Sequence, residues 1–104
     1  DAIGVYNSTL YMSSTTINSV GDGNGIGVYN SIVSIASSTI NNIIDGDGIG
    51  SYDSIVSISN SAVNNILDGD GIGLYNSTTT MSNVIIENVS GEGIAVYGGS
   101  VEGE

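Results

Sequence analysis

The chain has 104 residues, 39% of them hydrophobic, with 16 Gly and neither Pro nor Cys. This bounds it to one domain with enough apolar content for a core, excludes disulfides and thiolate metal sites, and leaves no apolar run near the roughly 18 to 20 residues of a membrane helix. Eleven acidic residues meet no Lys, Arg or His, a net charge of -11; nucleic acid is excluded as a partner because phosphate binding needs cationic side chains, and cations are the partners this charge implies.

The predicted elements repeat along the chain. A partial copy occupies residues 1–21, and full copies follow at 22–44 (DGNGIGVYNSIVSIASSTINNII) and 45–67 (DGDGIGSYDSIVSISNSAVNNIL). A fourth, 68–89, is one residue short at its end, and a partial copy fills 90–104. Tyr6, Tyr29, Tyr52 and Tyr75 mark a period of 23 residues, and Tyr97 follows after 22. Such a period is the signature of a solenoid. Within one copy the apolar residues alternate, as in Ile26 and Val28, Val33 and Ile35, then Ile40 and Ile43. Alternation predicts three short strands per copy, separated by Gly, Asn, Asp and Ser turn formers. If each copy is one coil, equivalent residues stack at about 4.8 Å into columns. Ile3, Ile26, Ile49, Ile72 and Ile94 form one such column; Met12, Ile35, Ile58 and Met81 form a second; Ile17, Ile40, Val63 and Ile86 form a third. Asn42, Asn65 and Asn88 align with Ser19 in an expected inward ladder, where stacked amides bond along the axis.

The segments G-x-G-I-x-V-Y-N-S and I-x-x-S-x-I-N-N resemble the parallel β-helix repeats of the pectate-lyase-like superfamily and of secreted microbial surface proteins and fibres. The resemblance covers nearly the whole chain. It implies an all-β, right-handed parallel β-helix (β-solenoid) of about four and a half coils, one domain spanning 1–104, and an extracellular or cell-surface setting. It also implies that a lyase on this fold would use an Arg or Lys base, which this chain lacks.

Three sets of residues are candidate sites. At the D-G-D-G corner, Asp45 and Asp47 stack on Asp68 and Asp70, with Asp22 and Asn24 before them and Glu92 after. Carboxylates about 5 Å apart repel by about 1 kcal/mol in water. Calcium bound between coils would relieve this; the competing reading is a row of solvated turn residues. The column Tyr6, Tyr29, Tyr52, Tyr75 and Tyr97 is expected to point outward beside outward glycines Gly4, Gly27, Gly50 and Gly73. It would form a flat, accessible face for sugar rings or a neighbouring filament, or else the rings stack on one another and shield the sheet. Sequons stand at Asn7, Asn76 and Asn88; Asn7 and Asn76, at a corner, are the candidates for glycosylation, whereas Asn88 is set aside as inward-facing. Asp53 and Glu87 are isolated, so no acid pair suited to glycoside hydrolysis emerges. Thr9, Thr39 and Thr78 are read as sharing no single column, which weighs against an ice-binding face.

These features point to a non-catalytic structural protein whose coils stack end to end as a homopolymer, since no capping helix, Pro or Lys is seen at either end. The alternative is an adhesin or carbohydrate-binding stalk segment within a longer surface protein.

Overall fold

A computed structural model describes residues 1–103; residue 104, the end of the last partial repeat, lies outside the described residues. The fold is an all-β parallel solenoid of about four turns, with coils 23 residues apart. The first coil carries β1 (Ile3–Tyr6), β2 (Thr9–Ser13) and β3 (Thr16–Val20), and the second β4 (Ile26–Tyr29), β5 (Ile32–Ala36) and β6 (Thr39–Ile43). In the third coil β7 (Ile49–Tyr52) is followed by one continuous strand, β8 (Ile55–Ile66). The fourth is a single bent strand, β9 (Ile72–Val89), and β10 (Ile94–Gly103) lies on it. The three strands per coil expected from alternation are therefore present, and they fuse in the later coils where the corner residues also join the ladder.

All pairings are parallel and in register by repeat: Ile3 on Ile26, Ile26 on Ile49, Ile49 on Ile72 and Ile72 on Ile94. A slip of one residue would turn every inward side chain outward, so the six inward positions per coil fix the register. They form the core: Ile26, Val28, Val33, Ile35, Ile40 and Ile43 of the second coil are all buried, each stabilising by about 1.5 to 3 kcal/mol. Ile40 and Ile43 are three residues apart yet both face inward. The intervening Asn42 has φ +58, so its left-handed backbone turns the chain within the strand. Ser19, Asn65 and Asn88 do the same in their coils.

This last column corrects one expectation. Asn88 is exposed, not inward, because a left-handed residue between two inward apolar ones carries its side chain away from the core. Only Asn88 bonds along its own column, donating to Asn65 Oδ1 at 3.2 Å; Asn42 and Asn65 reach sideways to Asn18 and Asn41 Oδ1. Thr9, Thr39 and Thr78 share no single column: Thr9 and Thr78 align with Ile32 and Ile55 between them, whereas Thr39 stacks with Thr16 and Ala62.

Candidate functional site

The coils meet at three corners, two built alike and one differently. At the second corner the turn residue is Asn7, Asn30, Asp53 or Asn76, with φ from +51 to +53, a region that Asn and Asp enter more cheaply than other non-Gly residues. The following serine closes the turn. Ser31 Oγ donates to the Tyr29 carbonyl at 2.8 Å and accepts the Ser8 N–H of the preceding coil at 2.9 Å. Ser54 and Ser77 repeat this, accepting from Ser31 and Ser54 N–H respectively. The third corner copies the device, with Ser38 and Ser61 accepting from Thr15 and Ser38 N–H. Asp53 is thus not isolated: its carboxylate accepts from Asn76 Nδ2 at 2.7 Å. Of the two candidate glycosylation sites, Asn76 has its amide nitrogen committed to Asp53, while Asn7 uses its oxygen, accepting from Asn30 Nδ2 at 2.9 Å. A shallow groove of about 380 Å³ follows this corner, between the Asn column and the exposed Ile32 and Ile55.

The first corner holds the acidic residues, and the structure separates them into two columns. Asp22, Asp45 and Asp68 are exposed and make no side-chain hydrogen bond among the described residues. Asn24, Asp47, Asp70 and Glu92 form the second column, with Asp1 before them. Here each side chain caps the next coil: Asp1 Oδ1 accepts Asn24 N–H, Asn24 Oδ1 accepts Asp47 N–H, Asp47 Oδ1 accepts Asp70 N–H and Asp70 Oδ1 accepts Glu92 N–H, at 2.8 to 2.9 Å. The acids therefore satisfy backbone donors that the ladder would otherwise leave unpaired. Asp47, only 8% exposed, has its carboxyl pushed above the usual range by burial and by the Asp70 charge, with the Asp70 N–H opposing. Among the described residues no three Asp or Glu side chains converge as a metal-ligand set. The residue missing from the fourth copy belongs at this corner. Ser90 N–H donates to the Ile66 carbonyl and Gly91 N–H to that of Gly69, so the outer column of Asp22, Asp45 and Asp68 has no fourth member.

The five tyrosines are one stack. Successive ring centroids are 4.6, 5.0, 4.6 and 4.9 Å apart, with planes within 10°. The rings do not stand beside an open glycine strip, as expected from the sequence. Gly27, Gly50 and Gly73 are buried: a side chain on Gly27 would strike the Tyr29 hydroxyl and the Asp1 carboxylate, one on Gly50 the Asn24 amide, and one on Gly73 the Asp47 carboxylate. Glycine is there so that the acid column and the rings can fold flat onto the sheet. Tyr29 OH donates to Asp1 Oδ2 at 2.9 Å. Burial, then the Asp47 carboxylate and neighbouring rings, push Tyr75 up to about 12. The inner rings have both faces covered, which leaves edges along the column and free faces only at Tyr6 and Tyr97, 60% and 56% exposed. Sequence reasoning missed the capping role of the acids and the shielding of the glycines; the recurrence of Gly two residues before each of the first four tyrosines was the available signal. No family model, curated protein or solved structure matches this chain.

Proposed function

We propose that this chain is a non-catalytic structural element of an extracellular fibre or surface filament, its coils extended end to end by further copies. The observation that carries this reading is the self-complementarity of the coil. Each coil offers carboxylate or amide oxygens at its first corner toward one neighbour and serine Oγ atoms at its other corners toward the opposite one, and the same bonds recur from coil to coil. Stacking of another copy reuses bonds already made within the chain. The acids are spent on this ladder or dispersed on the surface, so the repeated surface suits repeated contacts better than a single reactive centre. The extracellular setting rests on the resemblance of the repeat to pectate-lyase-like coils of secreted surface proteins.

The test is negative-stain electron microscopy of the purified chain, with millimolar calcium and with chelator. Filaments one solenoid wide, lengthening with concentration, are expected. Calcium dependence would assign the outer Asp22, Asp45 and Asp68 column a cation-binding part in assembly; dispersed monomers in both conditions would overturn the filament.

A further inference from the structure

The tyrosine column has a chemistry that stacking alone does not use. Five phenols lie face to face at 4.6 to 5.0 Å with planes within 10°, so each ring is held close and parallel to its neighbour. The pair at the first coils, Tyr6 and Tyr29, is 4.6 Å apart and within 5° of parallel. Tyr6 is open to solvent and thus to an oxidant, while the Tyr29 hydroxyl already donates to the Asp1 carboxylate. A phenol that loses an electron becomes a strong acid, and a hydrogen-bonded carboxylate is a base placed to take its proton. Tyr11 is the internal contrast: at 81% it is more exposed than any ring of the column, and it has no aromatic partner.

We propose that the column is a site of oxidative cross-linking, in which a one-electron oxidant of the peroxidase and hydrogen peroxide class couples adjacent rings into dityrosine, Tyr6 with Tyr29 first. Each phenol loses one electron and its hydroxyl proton, that of Tyr29 passing to Asp1. The two radicals join by a carbon–carbon bond between positions ortho to the oxygens. The hydrogens on the joined carbons then move to the oxygens and restore both phenols. Two tyrosines and one hydrogen peroxide give one dityrosine and two waters. The product ties one coil covalently to the next at the outer surface, without needing a second copy of the chain.

The experiment is peroxidase and hydrogen peroxide treatment of the dilute chain, read by dityrosine fluorescence, by intact mass, and by peptide mapping after cleavage before aspartate, which separates Tyr6 from Tyr29. The expected result is a monomer lighter by two hydrogens whose cross-link joins residues 1–21 to the Tyr29 peptide. It should be retained in Tyr11→Phe and fall at least tenfold in Tyr29→Phe, whose ring still stacks but carries no phenol. A cross-link that survives Tyr29→Phe or disappears in Tyr11→Phe would overturn the proposal, as would coupling found only in dimers. An unreacted monomer would overturn it too. Circular dichroism of each variant confirms that the coils are intact. Because the readout is intramolecular, the outcome is independent of whether filaments form.

Discussion

The acidic corner and the Asn–Ser corners solve the same problem by opposite means. Both must supply a partner for a backbone N–H that the strand ladder misses at a bend. At the Asn–Ser corners a neutral hydroxyl accepts from the coil before it, and the left-handed turn is made by Asn, Asp or Ser. At the acidic corner a carboxylate or amide reaches to the coil after it, and the bend is made by glycine, with Gly46 at φ +144 and Gly69 at φ +154. The first solution tolerates side chains and caps the backbone with a hydroxyl that carries no charge. The second leaves no space for a β-carbon and places like charges one coil apart.

Substitution at the bend separates the two corners most sharply. Gly46→Ala should cost about 3 kcal/mol or more, because its backbone conformation is confined to glycine and the added carbon would meet the Gly23 carbonyl; Asn30→Ala, at φ +51, should cost about 1 kcal/mol. Urea unfolding of the two variants measures the contrast, and equal losses would refute it. Next in size is Ser54→Ala, which strips the acceptor from the buried Ser31 N–H and should cost about 1 to 3 kcal/mol. A hydroxyl of the same kind is wasted in the core. Thr79 is buried in a column with Val33 and Val56, and its Oγ1 has no partner among the described residues. Thr79→Val should therefore stabilise, by about 1 kcal/mol, and a lower urea midpoint would contradict that account.

The smallest effect is electrostatic. Asp47→Asn keeps the oxygen that accepts Asp70 N–H and removes the repulsion, as Asn24 already does one coil earlier, so it should stabilise by less than about 1 kcal/mol at neutral pH. The sign with pH follows from the raised carboxyl of Asp47: the folded chain holds that proton more tightly than the unfolded one. This contribution favours folding as pH falls through the raised value and is lost as pH rises above it. Asp47→Asn should flatten that slope in stability measured from mildly acidic to neutral pH.

Most of the fold was legible because one rule governs it. A 23-residue period and an alternation broken only at the Ile40–Ile43 step of each coil specify six inward columns, and Ile26, Ile49 and Ile72 stack where the repeat places them. The kink at Ser19, Asn42, Asn65 and Asn88 was not legible as such, since the spacing from Ile40 to Ile43 does not say which residue between them adopts positive φ. The tyrosines were legible as an aligned column, but their tilt over Gly27, Gly50 and Gly73 was not. It depends on contacts across coils between residues that alternation alone reads as independently exposed. The acidic residues show the same limit: composition reveals surplus charge, while only geometry tells which carboxylates face water and which face N–H groups.

The capping ladder at the acidic corner also bears on how the protein ages. Asn–Gly and Asp–Gly sequences degrade when the glycine nitrogen attacks the preceding side chain to give a succinimide. Here those nitrogens are occupied: Gly23 and Gly25 donate to the Asp45 and Asp47 carbonyls, and Gly46 and Gly48 to those of Asp68 and Asp70. Attack at Asn24 must first break the ladder, so deamidation is tied to coil opening. The exception lies beside the missing residue, where Gly69 N–H has only a 3.4 Å bond to Ser90 Oγ. Peptide mapping after long incubation should find isoaspartate first at Asp68, the chemical clock of the molecule running fastest where its repeat lost a step.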